Sequence, residues 1–164
     1  MGTTYSLRPI GRIHTPFTRQ EGTPIQPSTA GGASGTVEVF AAYRQSLQDL
    51  DGFERIWLIY LFDRAREHSP LVRPYRDTAV HGLFATRAPS RPNPIGLSAV
   101  RLVAINLEAG ELAVKDVDML DGTPLLDIKP YIPEFDSFPA SRAGWMDVAG
   151  CDEGVADDRF HPPE

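Results

Sequence analysis

Hydrophobic residues along this chain come in short runs between breakers, and their spacing is mostly that of strands. Val37 and Val39 alternate with Thr36 and Glu38, the two-residue period of a half-buried strand. Runs rich in β-branched and aromatic residues predict strands at 6–14, 35–40, 55–62, 80–85, 96–106, 111–118 and 125–128. The run from Ile56 to Phe62 is apolar on both faces, so it should be central or covered twice. Only Tyr43, Leu47 and Leu50 follow a helical stripe, which predicts one short amphipathic helix over 43–50 ended by Asp51-Gly52. Two stretches, Gly22–Ser34 and Arg64–Thr78, read as long loops of the kind that carries function.

Fifteen prolines and fourteen glycines cut the chain every few residues, which argues against a helical bundle. A Rossmann domain would need strand–helix alternation and a GxGxxG turn, and neither is present. The expected fold is therefore mostly all-β: one small antiparallel β-barrel over residues 1–146, with one or two short helices and long functional loops. Residues 147–164 read as an acidic tail. The length of 164 residues suits one domain. The longest apolar run is far short of the ~20 residues that span a membrane, and Met1–Phe17 has no signal-peptide core. The reading is a cytoplasmic protein without membrane contact.

Charge adds a ligand. The net charge is −6, yet residues 60–101 hold seven arginines against Asp63, Glu67 and Asp77. A basic middle on an acidic chain suits an anionic ligand at one place, or else arginines scattered over a solvated surface. The segment Phe84-Ala85-Thr86-Arg87-Ala88-Pro89-Ser90-Arg91-Pro92-Asn93-Pro94-Ile95-Gly96 carries three prolines that fix φ and remove backbone donors. It is stiff before a ligand arrives, so it reads either as a cradle for an anionic or zwitterionic ligand or as a rigid crossover. Gln26, in the stiff Gly22–Pro27 loop, can both donate and accept, which suits a nucleobase edge. Asp121-Gly122-Thr123-Pro124 is a turn by composition. Asp127, Lys129 and Tyr131 share one face of an extended run. No histidine has metal-ligand spacing, and no GxSxG elbow or Walker loop occurs, so no metal site is expected. Cys151 reads as an inert thiol in an acidic tail.

Taken in order, GRIHTP at 11–16, PIQP at 24–27, GFERIWL at 52–58, VHGLFATR at 80–87, RPNPIGLS at 91–98, DGTP at 121–124 and DIKPY at 127–131 resemble the TrmO/TsaA-like (YaeB-like) family. The resemblance implies an S-adenosyl-L-methionine-dependent methyltransferase. Its substrate would be N6 of threonylcarbamoyladenosine, beside the anticodon in tRNA. It implies a homodimer with the cofactor near the subunit interface. Carried over by position, the cofactor contacts would be Ile25, Gln26, Pro27, Asp63, Arg64, Arg87, Leu97, Leu120, Asp121, Gly122 and Thr123. Asp63-Arg64 stands where relatives often carry His-Gln.

Methyl transfer from a sulfonium needs alignment more than acid–base power, since the donor is already activated. The poor nitrogen nucleophile must still lose its proton, and Asp121 is the expected acceptor. Arg91, Asn93, Lys129 and Tyr131 are the expected substrate contacts or site support. Two rival readings fit the same residues: a methyltransferase of this scaffold acting on a small molecule or another RNA, and a non-enzymatic S-adenosylmethionine-binding module.

Overall fold

The computed structural model describes residues 2–148 and Ala156. Six strands close into an antiparallel barrel: β1 Gly11–His14, β2 Ser34–Val39, β3 Arg55–Leu61, β6 Ile95–Asn106, β7 Glu111–Lys115 and β8 Thr123–Pro130. Their order round the ring is β1-β2-β7-β6-β3-β8. A separate two-stranded sheet pairs β4 Leu71–Val72 with β5 His81–Gly82. One short helix, α1 Pro133–Asp136, follows the barrel, and no helix of the described residues is long and apolar enough to cross a membrane.

The period-two pattern fills the barrel. Ile13, Val37, Ile56, Leu58, Val100, Leu112 and Leu125 are fully buried inside it. Each contributes on the order of 1.5–3 kcal/mol by leaving water. On β3 the inward residues Ile56, Leu58 and Tyr60 are buried, and the outward Trp57, Ile59 and Leu61 are only half-buried. The strand is central, between β6 and β8, which meets the first of the two expectations, and its outer face is partly covered. Gly96 lies opposite Tyr60 in the β3–β6 ladder, where a Cβ would fall 2.1 Å from the Tyr60 ring. Only glycine lets the tyrosine lie flat across that strand.

Several predicted elements change. The helix at 43–50 is a 3₁₀ segment over Ala41–Leu47, and Asp51-Gly52 belongs to a second 3₁₀ turn, Leu50–Gly52. The left-handed Asp49, φ 63°, separates the two, so no continuous α-helix can form. The apolar stripe survives, since Leu47 and Leu50 pack into the core with Tyr43 against it. The strand at 80–85 shrinks to β5, because the chain tightens into a 3₁₀ turn at Leu83–Ala85. The first strand begins at Gly11, not Ser6, for residues 2–9 are exposed. The last strand is longer than expected and reaches Pro130. The long loop at 64–78 contains β4. Cys151 and nearly all of the acidic tail lie outside the described residues.

Candidate functional site

Antiparallel closure sends the two longest connections to one end of the barrel. Residues 15–33, 62–94 and 116–122 all leave from that end, and the links at 40–54 and 107–110 close the other. The stiff loops seen in the sequence therefore converge, although they lie far apart in the chain.

The first cluster joins two of them. The Arg87 guanidinium donates a short hydrogen bond from Nη1 to the Gln26 side-chain oxygen. Gln26 is steadied by its own Nε2, which donates to the Ile25 carbonyl at 2.7 Å. Pro27 opens the 3₁₀ turn Pro27–Thr29, and Thr29 bonds back to Gln26, so the amide is presented by a fixed turn. Arg91 plays a different part. Its Nη1 donates to the carbonyls of Thr86 at 3.0 Å, Ala88 at 3.3 Å and Leu83 at 3.5 Å, and its guanidinium lies 5.5 Å from the centre of the Phe84 ring. Arg91 thus pins the loop that carries Arg87. Trp145 adds a second pin: its indole N–H donates to Ala85 O at 2.8 Å, and its ring stacks on His81 at 4.5 Å. His81 is held in turn by Asp77 at 2.8 Å. The Ala79 amide and then His81 hold the Asp77 carboxyl below the usual carboxylate range.

The second cluster is the turn at 120–123. Gly122 takes φ 76°, a conformation glycine adopts freely. Arg64 reaches across from the end of β3 and donates from Nη2 to Asp121 O at 2.8 Å and Thr123 Oγ1 at 3.3 Å. Asp63 pairs with Arg64 at 3.3 Å. The Asp121 carboxylate accepts the Thr15 amide at 3.0 Å and lies 3.5 Å from His14 Nδ1. Thr123 Oγ1 donates to Leu120 O at 2.6 Å. Asp63, Arg64, Leu120, Asp121, Gly122 and Thr123 therefore form one unit.

At the same end of the barrel runs a polar chain that sequence reasoning missed. Ser98 Oγ donates to Asp118 Oδ1 at 2.6 Å, and the Tyr60 hydroxyl lies 3.0 Å from Ser98 Oγ. Ser98 is 1% exposed and Tyr60 3%. Burial pushes the Asp118 carboxyl up to about 7, against the opposing pull of the Ser98 bond, its own backbone amide and the charge of Arg87. Burial, then the Asp118 charge, pushes the Tyr60 hydroxyl up. The one hint in the sequence is Gly96: a glycine inside a strand marks a close approach, here by the ring of Tyr60.

Four expected residues lie elsewhere. Leu97 points out of the barrel and is 54% exposed. Lys129 pairs with Asp127 at 2.8 Å, and Tyr131 packs on Trp57 with ring centres 5.4 Å apart, both on the outer face of β8 and β3. Asn93 is exposed, and its carbonyl caps Ile95 N at 2.8 Å. None of the four hydrogen-bonds to the Gln26–Arg87 pair among the described residues.

Comparison with known proteins agrees with this fold. A probable S-adenosyl-L-methionine-binding protein of Pyrococcus abyssi is 54% identical over 93% of this chain and 83% of its own length. The tRNA (adenine(37)-N6)-methyltransferase of Escherichia coli is 35% identical, over 92% of this chain and 68% of that protein. A crystal structure of TrmO from Pseudomonas aeruginosa superimposes with a TM-score of 0.74 at 38% identity, covering 90% of this chain. This chain spans only 63% of that structure. Residues 12–137 match the tRNA-methyltransferase O N-terminal domain, and on that match the chain belongs to this family.

Proposed function

We propose that this protein is an S-adenosyl-L-methionine-dependent methyltransferase of the β-barrel class. In the cytoplasm, it methylates N6 of threonylcarbamoyladenosine beside the anticodon of tRNA. The observation that carries the reading is the meeting of Gln26 and Arg87 at the barrel end that also carries the 120–123 turn, in a chain of this family.

The donor set fits the cofactor. A guanidinium bonded, among the described residues, to a neutral amide is ready for a carboxylate, and the Gln26 amide and stiff loop backbones suit a nucleoside. When bound, the cofactor supplies an activated methyl on a sulfonium, ready for in-line displacement. Arg87 would hold the amino-acid carboxylate. Ile25, Gln26 and Pro27 would line one wall, and Asp63, Arg64 and Leu120 to Thr123 the others. Fixed loops lower the ordering cost of binding. With the reactants aligned, effective molarity supplies on the order of 7–11 kcal/mol of the barrier. Asp121 is the proposed proton acceptor for the target nitrogen, directly or through a water. Arg91 and Asn93 are proposed to meet the substrate, with Lys129 and Tyr131 as support.

Mass spectrometry of tRNA nucleosides from cells with and without the gene tests the activity: the methylated threonylcarbamoyladenosine should disappear with the gene. Transfer of labelled methyl only to another RNA or to a small molecule would overturn the substrate. Asp121→Asn should lower turnover by more than it lowers cofactor affinity; full turnover would remove the base role.

We propose further that two copies associate through the outer face of β3 and β6. Ile59 sits beside Leu97 and Leu61 beside Ile95 in the ladder, and Ile95 and Leu97 are 42% and 54% exposed. That pattern suits burial against a second copy. Leu97→Glu should convert a sedimenting dimer to monomer.

A further inference from the structure

The Tyr60–Ser98–Asp118 chain has a direction. Ser98 has one hydroxyl proton and gives it to Asp118, so the Tyr60 hydroxyl must donate to Ser98. Every donor points toward the carboxyl, and both donors are neutral. Among the described residues no other side chain hydrogen-bonds Asp118, and no ion pair joins it to any cation. The cation whose charge acts on it is Arg87, through space. Arg87 has the opposite lack. Its side-chain partner is the neutral Gln26 amide, not a carboxylate.

Among the described residues the site thus holds a carboxyl and a guanidinium with no salt bridge, each kept in place by neutral side chains, and the charge of Arg87 acts on Asp118. A part-buried carboxylate without a counter-ion in contact is costly, and the exposed Arg87 is open to a ligand. A phosphate would satisfy Arg87 and be repelled by Asp118. A metal cation would do the reverse. A small molecule bearing both charges on adjacent atoms satisfies both at once. That description fits an α-amino acid group.

We propose that Asp118 is the ammonium pole of a zwitterion clamp, with Arg87 as its carboxylate pole, and that the pair grips the amino-acid end of the cofactor. This rests on the cofactor reading above and extends it to a residue outside the family-derived contacts. Ser98 and Tyr60 are positioning residues: they aim the carboxyl, and Gly96 makes room for the tyrosine that does so.

Calorimetry on the full chain tests the clamp. Three ligands separate its parts: S-adenosylhomocysteine, its analogue lacking only the amino group, and 5′-methylthioadenosine, which keeps the nucleoside and thioether and lacks the amino-acid end. The unaltered protein should bind the homocysteine compound about 10–100-fold more tightly than the deaminated analogue, the range for a charged hydrogen bond. Asp118→Asn should weaken S-adenosylhomocysteine to the same extent and leave 5′-methylthioadenosine within about twofold. Ser98→Ala, which keeps both charges and frees the carboxyl to turn, should weaken S-adenosylhomocysteine by about threefold. Equal affinity of the unaltered protein for the amino and deaminated compounds would overturn the clamp, and needs no variant to fold. So would an Asp118→Asn protein that loses all three ligands alike or none. If the unaltered protein binds none of them, the cofactor reading itself falls.

Discussion

Two carboxylates three residues apart, Asp118 and Asp121, meet opposite treatment from the same fold. Asp121 stands at a surface turn and is held by a backbone amide, with a histidine and the Arg64 side chain close by. Asp118 lies part-buried beside the barrel core and accepts a hydrogen bond from Ser98, which the Tyr60 hydroxyl steadies in turn. Water shares the load at the turn, so its contacts are worth little individually. Burial makes Asp118 expensive to ionise, so what faces it matters more. The comparison teaches that prominence in sequence and electrostatic leverage are different properties.

Three perturbations would sharpen or break this contrast. The largest effect should come from Gly96→Ala, because the new methyl would strike the Tyr60 ring. We expect a stability loss of about 3 kcal/mol and a melting temperature lower by roughly 6–12 °C, measured by calorimetry. A neutral result would mean that the ring is not clamped across the strand.

Next comes pH. Asp118 has its carboxyl raised to about 7 by burial. Its carboxylate is therefore present above that pH and lost below it. The groups facing it are Tyr60 from β3, whose hydroxyl burial keeps protonated, and Arg87 from the loop after the 83–85 turn, which stays charged. Affinity for S-adenosylhomocysteine should fall about tenfold from about pH 8 to about pH 6, and Asp118→Asn should flatten the curve. A profile unchanged by that substitution would place the titrating group elsewhere.

The smallest effect belongs to the turn. Asp121→Ala removes the acceptor for the Thr15 amide at a site that water reaches. It should cost about 1 kcal/mol, a melting shift of roughly 2–4 °C. A loss as large as that of Gly96→Ala would erase the distinction between the two carboxylates.

The frame was legible because alternation is local. Thr36 to Val39 states its inward face outright, and Ile56 to Phe62, apolar on both faces, states its central place in the sheet. The helix over 43–50 misled because its stripe is real while the left-handed Asp49 is not visible in composition. In the site, Gln26 and Arg87 stood out on stiff, proline-rich loops and do meet. Ser98 and Asp118 did not stand out, and Tyr60 hid inside an apolar run. Their contact depends on the β3–β6 register and on the backbone resetting at Asp116, φ 68°, which no short window of sequence contains. Arg91 was legible as a cation, and its work on three carbonyls of its own loop was not.

The ring of six strands has no free border, so no amide or carbonyl row along its rim invites a foreign strand. Any association between copies must then be written in side chains alone, where one charge can cancel it. The same saturation lets the segment at 64–78 lengthen or change without baring the hydrogen-bonded wall. Recognition of different acceptors could therefore drift at one rim while the grip on the donor stays fixed.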